Sequence, residues 1–300
     1  MKRLISAEHV AAAFPEMEVA PEPLGIGGYK VAFRVRHDGA EKVLKVVLDD
    51  TTRPPDWGED DETDQDPETP SERFAREMAG MEALDSRHVA KLLTRPEERQ
   101  INGNPHLWYL EHFYSGGTLR QRLSTGPLDE GEVVRLGIGL LSAVDTMWGS
   151  QRIVHRDINP NNVVYDECGE PVLIDLGSAL FTQMADVTES GLTGPGTNRY
   201  AAPEQYKVRA HSAELITPRT DMFLIAIVMF EALTGRHPFF PAGTGLTNYM
   251  ERLENFDELQ FDSISCHPML REVICRMLNG KPSRRYKSVE EPLAALRSLQ

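Results

Sequence analysis

A short loop and a predicted hairpin in the middle of this chain constrain its fold more than any other segment. The loop contains His155-Arg156-Asp157 and ends at Asn162. Two apolar runs of β type follow, Val163–Tyr165 and Val172–Ile174, and the second leads into Asp175-Leu176-Gly177. Because the open ends of a hairpin lie side by side, this pattern predicts that Asn162 and Asp175 come together. Their side chains offer oxygen ligands of the kind that Mg²⁺ prefers.

Asp157 alone would be ambiguous, because aspartate often caps a helix or closes a turn by accepting hydrogen bonds from backbone amides. A proton acceptor followed by two metal ligands is, however, the set of groups that phosphoryl transfer from Mg-ATP requires. The cassette resembles the catalytic core of the eukaryotic-type Ser/Thr protein kinases, over residues 19 to 299. The resemblance implies that Asp157 accepts the substrate proton and that Asn162 and Asp175 hold the metal ions.

The resemblance also implies an α+β, two-lobed protein kinase-like fold. Residues 19–110 would form the N-lobe, a small antiparallel β-sheet with one main helix, and residues 111–300 the hinge and a larger, mostly helical C-lobe. Residues 1–18 would be an N-terminal extension with a short helix. Glu8 and His9 interrupt the apolar stretch of that extension, which favours an amphipathic helix over a signal peptide.

A glycine-rich segment and a lysine near the start fit the small lobe. Leu24-Gly25-Ile26-Gly27-Gly28-Tyr29-Lys30 stands where the family's loop over the ATP phosphates belongs. The hairpin signal Asp38-Gly39 follows, and Val43-Leu44-Lys45 corresponds to the family's Val-Ala-Ile-Lys. The resemblance implies that Lys45 holds the α- and β-phosphates and that ATP contacts Leu24, Gly25, Gly27 and Gly28. Taken alone, a glycine cluster more often marks a turn, and a strand lysine is more often solvated.

The next helix carries the expected partner of Lys45. Thr69-Pro70-Ser71-Glu72 predicts its start, with Thr as the cap and Pro at the first helical position. The resemblance implies that Glu77 pairs with Lys45 and orients it, and the alternative is a surface carboxylate.

The segment from Leu107 to Phe113 resembles the strand and hinge that join the two lobes. In the family, backbone groups here bind the adenine edge, which would involve Glu111 and Phe113. Leu110 would guard the back of the adenine pocket.

A segment rich in hydroxyl groups follows Asp175 and ends in Gly196-Thr197-Asn198-Arg199-Tyr200-Ala201-Ala202-Pro203-Glu204. It resembles the activation segment of protein kinases, which small-molecule phosphotransferases with a similar cassette lack. The resemblance therefore favours a protein substrate, and Thr197 favours a Ser or Thr acceptor. Arg156 is the residue type that binds a phosphate on this segment. The candidate phosphorylation sites are Thr188, Ser190 and Thr193.

Further residues would support the loop rather than react. His155 and Arg156 belong to the cassette itself. By resemblance, Asp221 opens an apolar helix, Met222 to Leu233, and braces the backbone of the catalytic loop. Arg285 would pair with Glu204, with the adjacent Arg284 as a rival for that bond.

An acidic insertion separates the predicted lysine strand from the helix that carries Glu77. Between Asp49 and Glu72 there are eleven Asp or Glu residues and the single Arg53, so this segment accounts for −10 of the formal net charge of −14. Such a composition favours a solvated loop. The alternative is a regulatory lid or a site for a basic partner.

Composition sets the remaining limits. Three cysteines without metal or disulfide spacing indicate a reducing compartment, and a cytoplasmic location is expected. We found no basic patch for nucleic acid, and the most apolar run, Met222 to Phe230, is too short to span a membrane. The expected cofactors are ATP and Mg²⁺, with Mn²⁺ as an alternative metal.

Three positions depart from the family pattern. Asn159 stands where these kinases usually place a lysine that contacts the γ-phosphate, Lys30 replaces the third glycine of the loop, and Leu176 replaces a phenylalanine. Lys30 is expected to be an exposed strand residue, and the alternative is a lysine over the phosphates that compensates for Asn159. These departures keep open a pseudokinase that acts as a scaffold.

Overall fold

A computed structural model describes residues 5–27, 30–48, 70–182, 199–207, 216–240, 249–256, 261 and 264–300. The strands are β1 Glu18–Ile26, β2 Lys30–His37, β3 Ala40–Val47, β4 Glu97–Ile101, β5 Asn104–His112, β6 Ile153–Val154, β7 Val163–Tyr165, β8 Pro171–Leu173 and β9 Leu180–Phe181. The helices are α1 Ala7–Ala13, α2 Pro70–Ala83, α3 Leu119–Leu123, α4 Glu130–Gln151, α5 Pro203–Lys207, α6 Pro218–Thr234, α7 Tyr249–Glu254, α8 Pro268–Met277 and α9 Glu290–Arg297, with a 3₁₀ turn at Pro282–Arg284.

Several predicted features lie outside the described residues. They include Gly28 and most of the acidic insertion, residues 49–69. The candidate phosphorylation sites also lie there, namely Thr188, Ser190, Thr193 and Thr197.

The chain divides into two compact units. The first, the sheet unit, comprises residues 1–63 and 90–113, and the second, the helical unit, comprises residues 64–89 and 114–300. By these contacts α2 belongs to the helical unit, whereas the sequence placed it in an N-lobe of residues 19–110. The lobe boundaries therefore stay a prediction.

The sheet unit is built on one antiparallel sheet of five strands, in the order β1-β2-β3-β5-β4. The predicted hairpin between β2 and β3 is present, with His37 opposite Ala40. Asp38 and Gly39 both adopt positive φ, 53° and 75°, as tight hairpin turns require. The turn fixes the register of β3, and with it the position of Lys45.

The N-terminal helix covers the apolar side of this sheet. Ser6 caps α1, and Val10 and Phe14 are fully buried in one core with apolar residues of β2, β3 and β5. The Phe14 ring meets Trp108 edge to face, with 4.9 Å between centroids. Arg99 lies over both rings and donates to the carbonyl of Ala13. The short helix predicted from the sequence is therefore a packed part of the sheet unit.

Two long helices form the centre of the helical unit. Asp129 caps α4, whose Val133, Leu136 and Leu140 are almost entirely buried as their spacing predicts. Helix α6 is buried on nearly all sides, and Gly235, which adopts φ 68°, caps its C-terminal end. It begins at Pro218, not at the predicted Asp221, because proline suits the first helical turn.

Helix α2 approaches the short ribbon of β6 and β9 within the helical unit. A Cβ atom at Gly80 would overlap the ring of Phe181 and lie 3.3 Å from Ile153. The glycine therefore permits a close contact that a larger residue would prevent.

The described elements confirm the predicted fold class, an α+β protein with a five-stranded antiparallel sheet and a separate, mostly helical unit. Among the described residues, no helix has both the length and the apolar character needed to cross a membrane.

Candidate active site

The buried carboxylate of Asp221 binds the backbone of the loop that carries Asp157. Asp221, in the first turn of α6, has no exposed surface and accepts hydrogen bonds from the backbone N–H groups of His155 and Arg156, at 2.8 and 2.9 Å. Burial raises the pKa of Asp221 to about 7, although both amides favour its ionised form. Two hydrogen bonds thus connect the first turn of α6 to the backbone of the loop.

Arg156 holds the loop in an uncommon backbone conformation, with φ 65° in the left-handed region. Its Nε donates to the carbonyl oxygen of Ser178 at 2.7 Å, and its own carbonyl accepts from Gln205 Nε2 at 2.9 Å. These contacts offset the cost of the backbone conformation, which for a non-glycine residue is about 1–3 kcal/mol.

His155 is a buried support of the same loop. Its Nδ1 accepts from the backbone N–H of Asp157, and its Nε2 lies 3.3 Å from the carbonyl oxygen of Ile174. Burial lowers the pKa of His155 to about 4, so the ring is neutral at pH 7. A neutral ring that accepts at Nδ1 donates from Nε2, which ties the loop to the end of β8.

The carboxylate of Asp157 is held by an amide at each oxygen. Asn159 donates to Oδ1 at 3.0 Å, and Asn162 donates to Oδ2 at 2.9 Å and to the Asp157 carbonyl at 2.9 Å. Burial and the nearby charge of Asp175 raise the pKa of Asp157 to about 6, while the two amides act in the opposite direction. The carboxylate is therefore fixed in place and ionised at neutral pH.

The predicted hairpin brings the two candidate metal ligands to one end. Val163 pairs with Leu173 in the β7–β8 ladder, so Asn162 and Asp175 flank the same open end. The Ile174 N–H donates to the Asn162 carbonyl at 2.9 Å. Asp175 adopts φ 67° and accepts from the N–H of Gly177 at 3.1 Å.

The chemistry of these two donors fits Mg²⁺. Asn162 uses its amide NH₂ group on Asp157, which leaves its oxygen as the atom able to bind a cation. Asp175 adds a carboxylate, and Mg²⁺ typically takes one or two protein oxygens together with phosphates and water.

Lys45 has a carboxylate partner within the sheet unit. Its Nζ lies 2.9 Å from Glu111 Oε1, and both side chains are buried. The sequence assigned Glu111 a role through its backbone only, whereas its side chain forms this ion pair on the neighbouring strand. Glu77 is buried on α2 in the helical unit, so its predicted pairing with Lys45 stays a prediction.

Lys30 is buried, with 7% of its surface exposed, which corrects the expectation of an exposed strand residue. The sheet unit provides the reason, since Lys30 Nζ donates to the hydroxyl of Tyr109 at 3.2 Å.

Other residues predicted to contact ATP lie near the ends of strands. Leu24 is 52% exposed near the end of β1. Gly25 lies in the same strand, Gly27 follows it, and Phe113 lies under the guanidinium of Arg34.

Comparison with known proteins decides the family. Residues 20–294 match the family described as the protein kinase domain. The chain belongs to this family.

Three curated relatives are similar to this chain over part of their length. The serine/threonine-protein kinase PrkC of Bacillus subtilis is 30% identical over 168 residues, 56% of this chain and 24% of PrkC. The probable serine/threonine-protein kinase PknB of Lactococcus lactis is 29% identical over 224 residues, 73% of this chain and 33% of PknB. The serine/threonine-protein kinase PknL of Mycobacterium tuberculosis is 32% identical over 163 residues, 52% of this chain and 38% of PknL. The matched part is thus well under half of each relative.

The kinase's Ala-Pro-Glu segment is anchored by a buried ion pair. Arg285, rather than its rival Arg284, forms two contacts with the Glu204 carboxylate, at 2.6 and 3.0 Å. Thr220 also donates to Glu204, at 2.9 Å, and the Arg285 guanidinium lies 4.5 Å from the ring centroid of Phe223. The segment is therefore fixed to the start of α6.

Sequence reasoning missed Gln205, which links this segment to the loop that carries Asp157. Its Oε1 accepts from the N–H of Ala202 at 2.8 Å, and its Nε2 donates to the Arg156 carbonyl. The only signal was its place directly after Ala-Pro-Glu, and nothing there indicates a partner far away in the chain.

A hydrogen-bonded cluster around Tyr200 was also not predicted from the sequence. The hydroxyl of Tyr200 accepts from Arg120 at 2.5 Å and donates to Glu231 on α6, which also pairs with Arg120 at 2.9 Å. Burial raises the pKa of Tyr200, and the charge of Glu231 adds to this effect. The segment that leads into Ala-Pro-Glu thus has a second anchor on α6.

Proposed function

We propose that this chain is the catalytic domain of a serine/threonine protein kinase, which transfers the γ-phosphoryl group of Mg-ATP to a Ser or Thr hydroxyl of a protein. The observation that carries the proposal is the Asp157 carboxylate, which the amides of Asn159 and Asn162 hold close to the charge of Asp175. This set provides a proton acceptor and two oxygen donors in one loop and hairpin, as phosphoryl transfer requires.

In the proposed reaction, the hydroxyl oxygen of the substrate forms a bond to the γ-phosphorus while the bond to the β–γ bridging oxygen breaks. ADP leaves with that oxygen, and the hydroxyl proton passes to Asp157. With its pKa near 6, Asp157 is ionised at pH 7 and able to accept it. Asn159 and Asn162 orient the carboxylate, which reduces the loss of freedom on reaching the reactive geometry.

Asn162 and Asp175 would hold Mg²⁺, with Mn²⁺ as an alternative. When bound, the metal neutralises charge on the phosphates. Lys45 would hold the α- and β-phosphates, oriented by Glu77 and, in the sheet unit, by Glu111 at 2.9 Å. The glycine-rich segment from Leu24 to Gly28 would cover the phosphates.

The assignment of a protein substrate rests on the segment that ends in Ala-Pro-Glu. Its anchors, Glu204 on Arg285 and Tyr200 on Glu231, would support a surface on which a peptide docks. Thr197 would favour Ser or Thr acceptors. Arg156 would bind a phosphate if the segment is modified, at one of Thr188, Ser190 or Thr193.

Three wider assignments accompany this proposal. The kinase would act in the cytoplasm and bind neither nucleic acid nor membrane. Residues 19–110 and 111–300 would form its two lobes, with the hinge backbone at Glu111 and Phe113 binding adenine. The acidic insertion, residues 49–72, would contact a basic partner, which its excess of ten negative charges supports.

The test is transfer of labelled phosphate from γ-labelled ATP in the presence of Mg²⁺ to a generic basic protein. We expect Asp157→Asn to abolish transfer and Asp85→Asn, a change at an exposed carboxylate of the same unit, to leave it intact. Transfer by Asp157→Asn at the original rate would contradict the proposal. Transfer to small alcohols but not to proteins would replace it with a small-molecule kinase.

A further inference from the structure

The sheet of the sheet unit has one apolar and one charged side. Val31 and Phe33 of β2 point to the apolar side and belong to the core with α1. Alternate residues of a strand point to opposite sides, so Lys30 and Ala32 face the other way. This second side is the one that carries Lys45.

The register places the polar groups of this side next to one another. Ala32 pairs with Lys45, and Lys45 pairs with Tyr109 on β5. Lys30 lies two residues before Ala32 and Glu111 two residues after Tyr109, so all of them share one side of the sheet. Two lysines and one glutamate therefore lie on the same side of the sheet as the phenol ring of Tyr109.

Both ammonium groups contact that ring. Lys30 Nζ is 5.8 Å and Lys45 Nζ 6.0 Å from the ring centroid of Tyr109, within the range of cation–π attraction. Lys30 also donates to the Tyr109 hydroxyl at 3.2 Å, which fixes its end group. Each lysine is only 7% exposed.

A buried lysine at the start of a strand requires a physical reason, because burial of an ammonium group is costly and lysine is usually solvated. An exposed lysine would contribute solubility, but Lys30 does not point to solvent. The contacts with Tyr109 bring two ammonium groups to one ring on this side of the sheet. Two closely placed ammonium groups suit a polyanion more than a neutral ligand.

We infer that Lys30 is a second phosphate-binding lysine, which acts with Lys45 on the triphosphate of ATP. The inference rests on the proposed kinase function, in which Lys45 binds the same phosphates. It also accounts for Asn159, a neutral residue where the family usually has a lysine, since Lys30 restores the missing positive charge to the chain's phosphate-binding groups.

Nucleotide affinity tests this inference without requiring turnover. The full chain is titrated calorimetrically, in Mg²⁺, with a non-hydrolysable ATP analogue and separately with adenosine. Lys30→Met keeps the aliphatic length and removes the charge. We expect this variant to bind the analogue about tenfold to a hundredfold more weakly, which is the effect of losing one hydrogen bond to a charged group. Its affinity for adenosine should be unchanged.

Matched variants separate charge from folding. Lys30→Arg should retain most of the affinity for the analogue. Arg36→Met removes an exposed charge further along the same side of β2 and should change nothing. Tyr109→Phe keeps the ring but loses the hydroxyl that positions Lys30, so we expect an intermediate loss. The double variant Lys30→Met/Lys45→Met should bind the analogue more weakly than either single variant.

Equal affinity of Lys30→Met and the unmodified chain for the analogue would overturn the inference. A parallel loss of adenosine affinity would also overturn it, because Lys30 would then act through folding. An unmodified chain that binds the analogue but transfers no phosphate would refute the proposed function alone, and the affinities would still decide the role of Lys30.

Discussion

The buried pair of Arg285 and Glu204 gives a stability prediction that can be worked from the contacts. The side chain of Arg285 has no exposed surface, and that of Glu204 is 4% exposed. Arg285→Met keeps most of the volume and removes both contacts to the carboxylate. Glu204 then keeps the hydroxyl of Thr220 but has lost the positive charge that offsets its burial.

Breaking one side of a buried ion pair typically costs about 3–5 kcal/mol. The variant also leaves the carbonyl groups of Asn279 and Arg219 without the guanidinium, which donates to each at 2.8 Å. We therefore expect the upper part of this range. In a protein of this size each kcal/mol lowers the melting temperature by about 2–4 °C, so a decrease of roughly 8–20 °C should follow.

Thermal and urea unfolding followed by circular dichroism measure this effect. Arg284→Met is the matched control, because Arg284 is exposed and adjacent in sequence, and it should change stability by less than about 0.5 kcal/mol. Arg285→Met/Glu204→Gln should recover part of the loss, since the buried negative charge is gone. A change of melting temperature no larger than that of the control would refute the reasoning.

Three other changes follow from the structure. Asn159→Lys should stabilise the ionised form of Asp157, so the acid limb of the kcat/KM profile, expected near pH 6, should move to lower pH by about one unit. The control Asn161→Lys places the same charge at an exposed neighbouring residue and should move the limb less. An unchanged pH profile for Asn159→Lys would contradict this. Gln205→Leu removes the hydrogen bond to the Arg156 carbonyl, and we expect kcat to fall about tenfold with little change in the KM for ATP. Steady-state kinetics would show a change in KM instead if Gln205 acted on nucleotide binding. Phe14→Ala should destabilise the fold by about 3–5 kcal/mol in urea unfolding, and a loss under about 1 kcal/mol would mean that α1 is not part of the core.

Much of the fold and of the catalytic loop could be predicted from the sequence because the signals are local. The turn residues Asp38-Gly39 determine a hairpin by their own backbone preferences, and the spacing of Leu136 and Leu140 indicates the buried side of α4. Asn162 and Asp175 flank one short hairpin, so residues that are close in the sequence determine how they are placed.

The remaining features depend on which side chains meet across long separations. Glu111 was expected to act through its backbone, and only the pairing of β3 with β5 shows that its carboxylate shares a side of the sheet with Lys45. The burial of Lys30 likewise depends on its contact with Tyr109, 79 residues further along. Pattern reasoning assigned Lys30 to solvent because lysine usually is solvated.

Helix α6 connects three parts of the chain through residues on a single helix. Asp221 holds the catalytic loop, Thr220 contacts Glu204, and Glu231 holds Tyr200. A small rotation or shift of this helix would disturb all three contacts at once, since none can adjust independently of the others. Substitutions at Thr220, Asp221 and Glu231 should therefore combine non-additively, and a change deep inside the protein would reach the chemistry without any residue there touching a substrate.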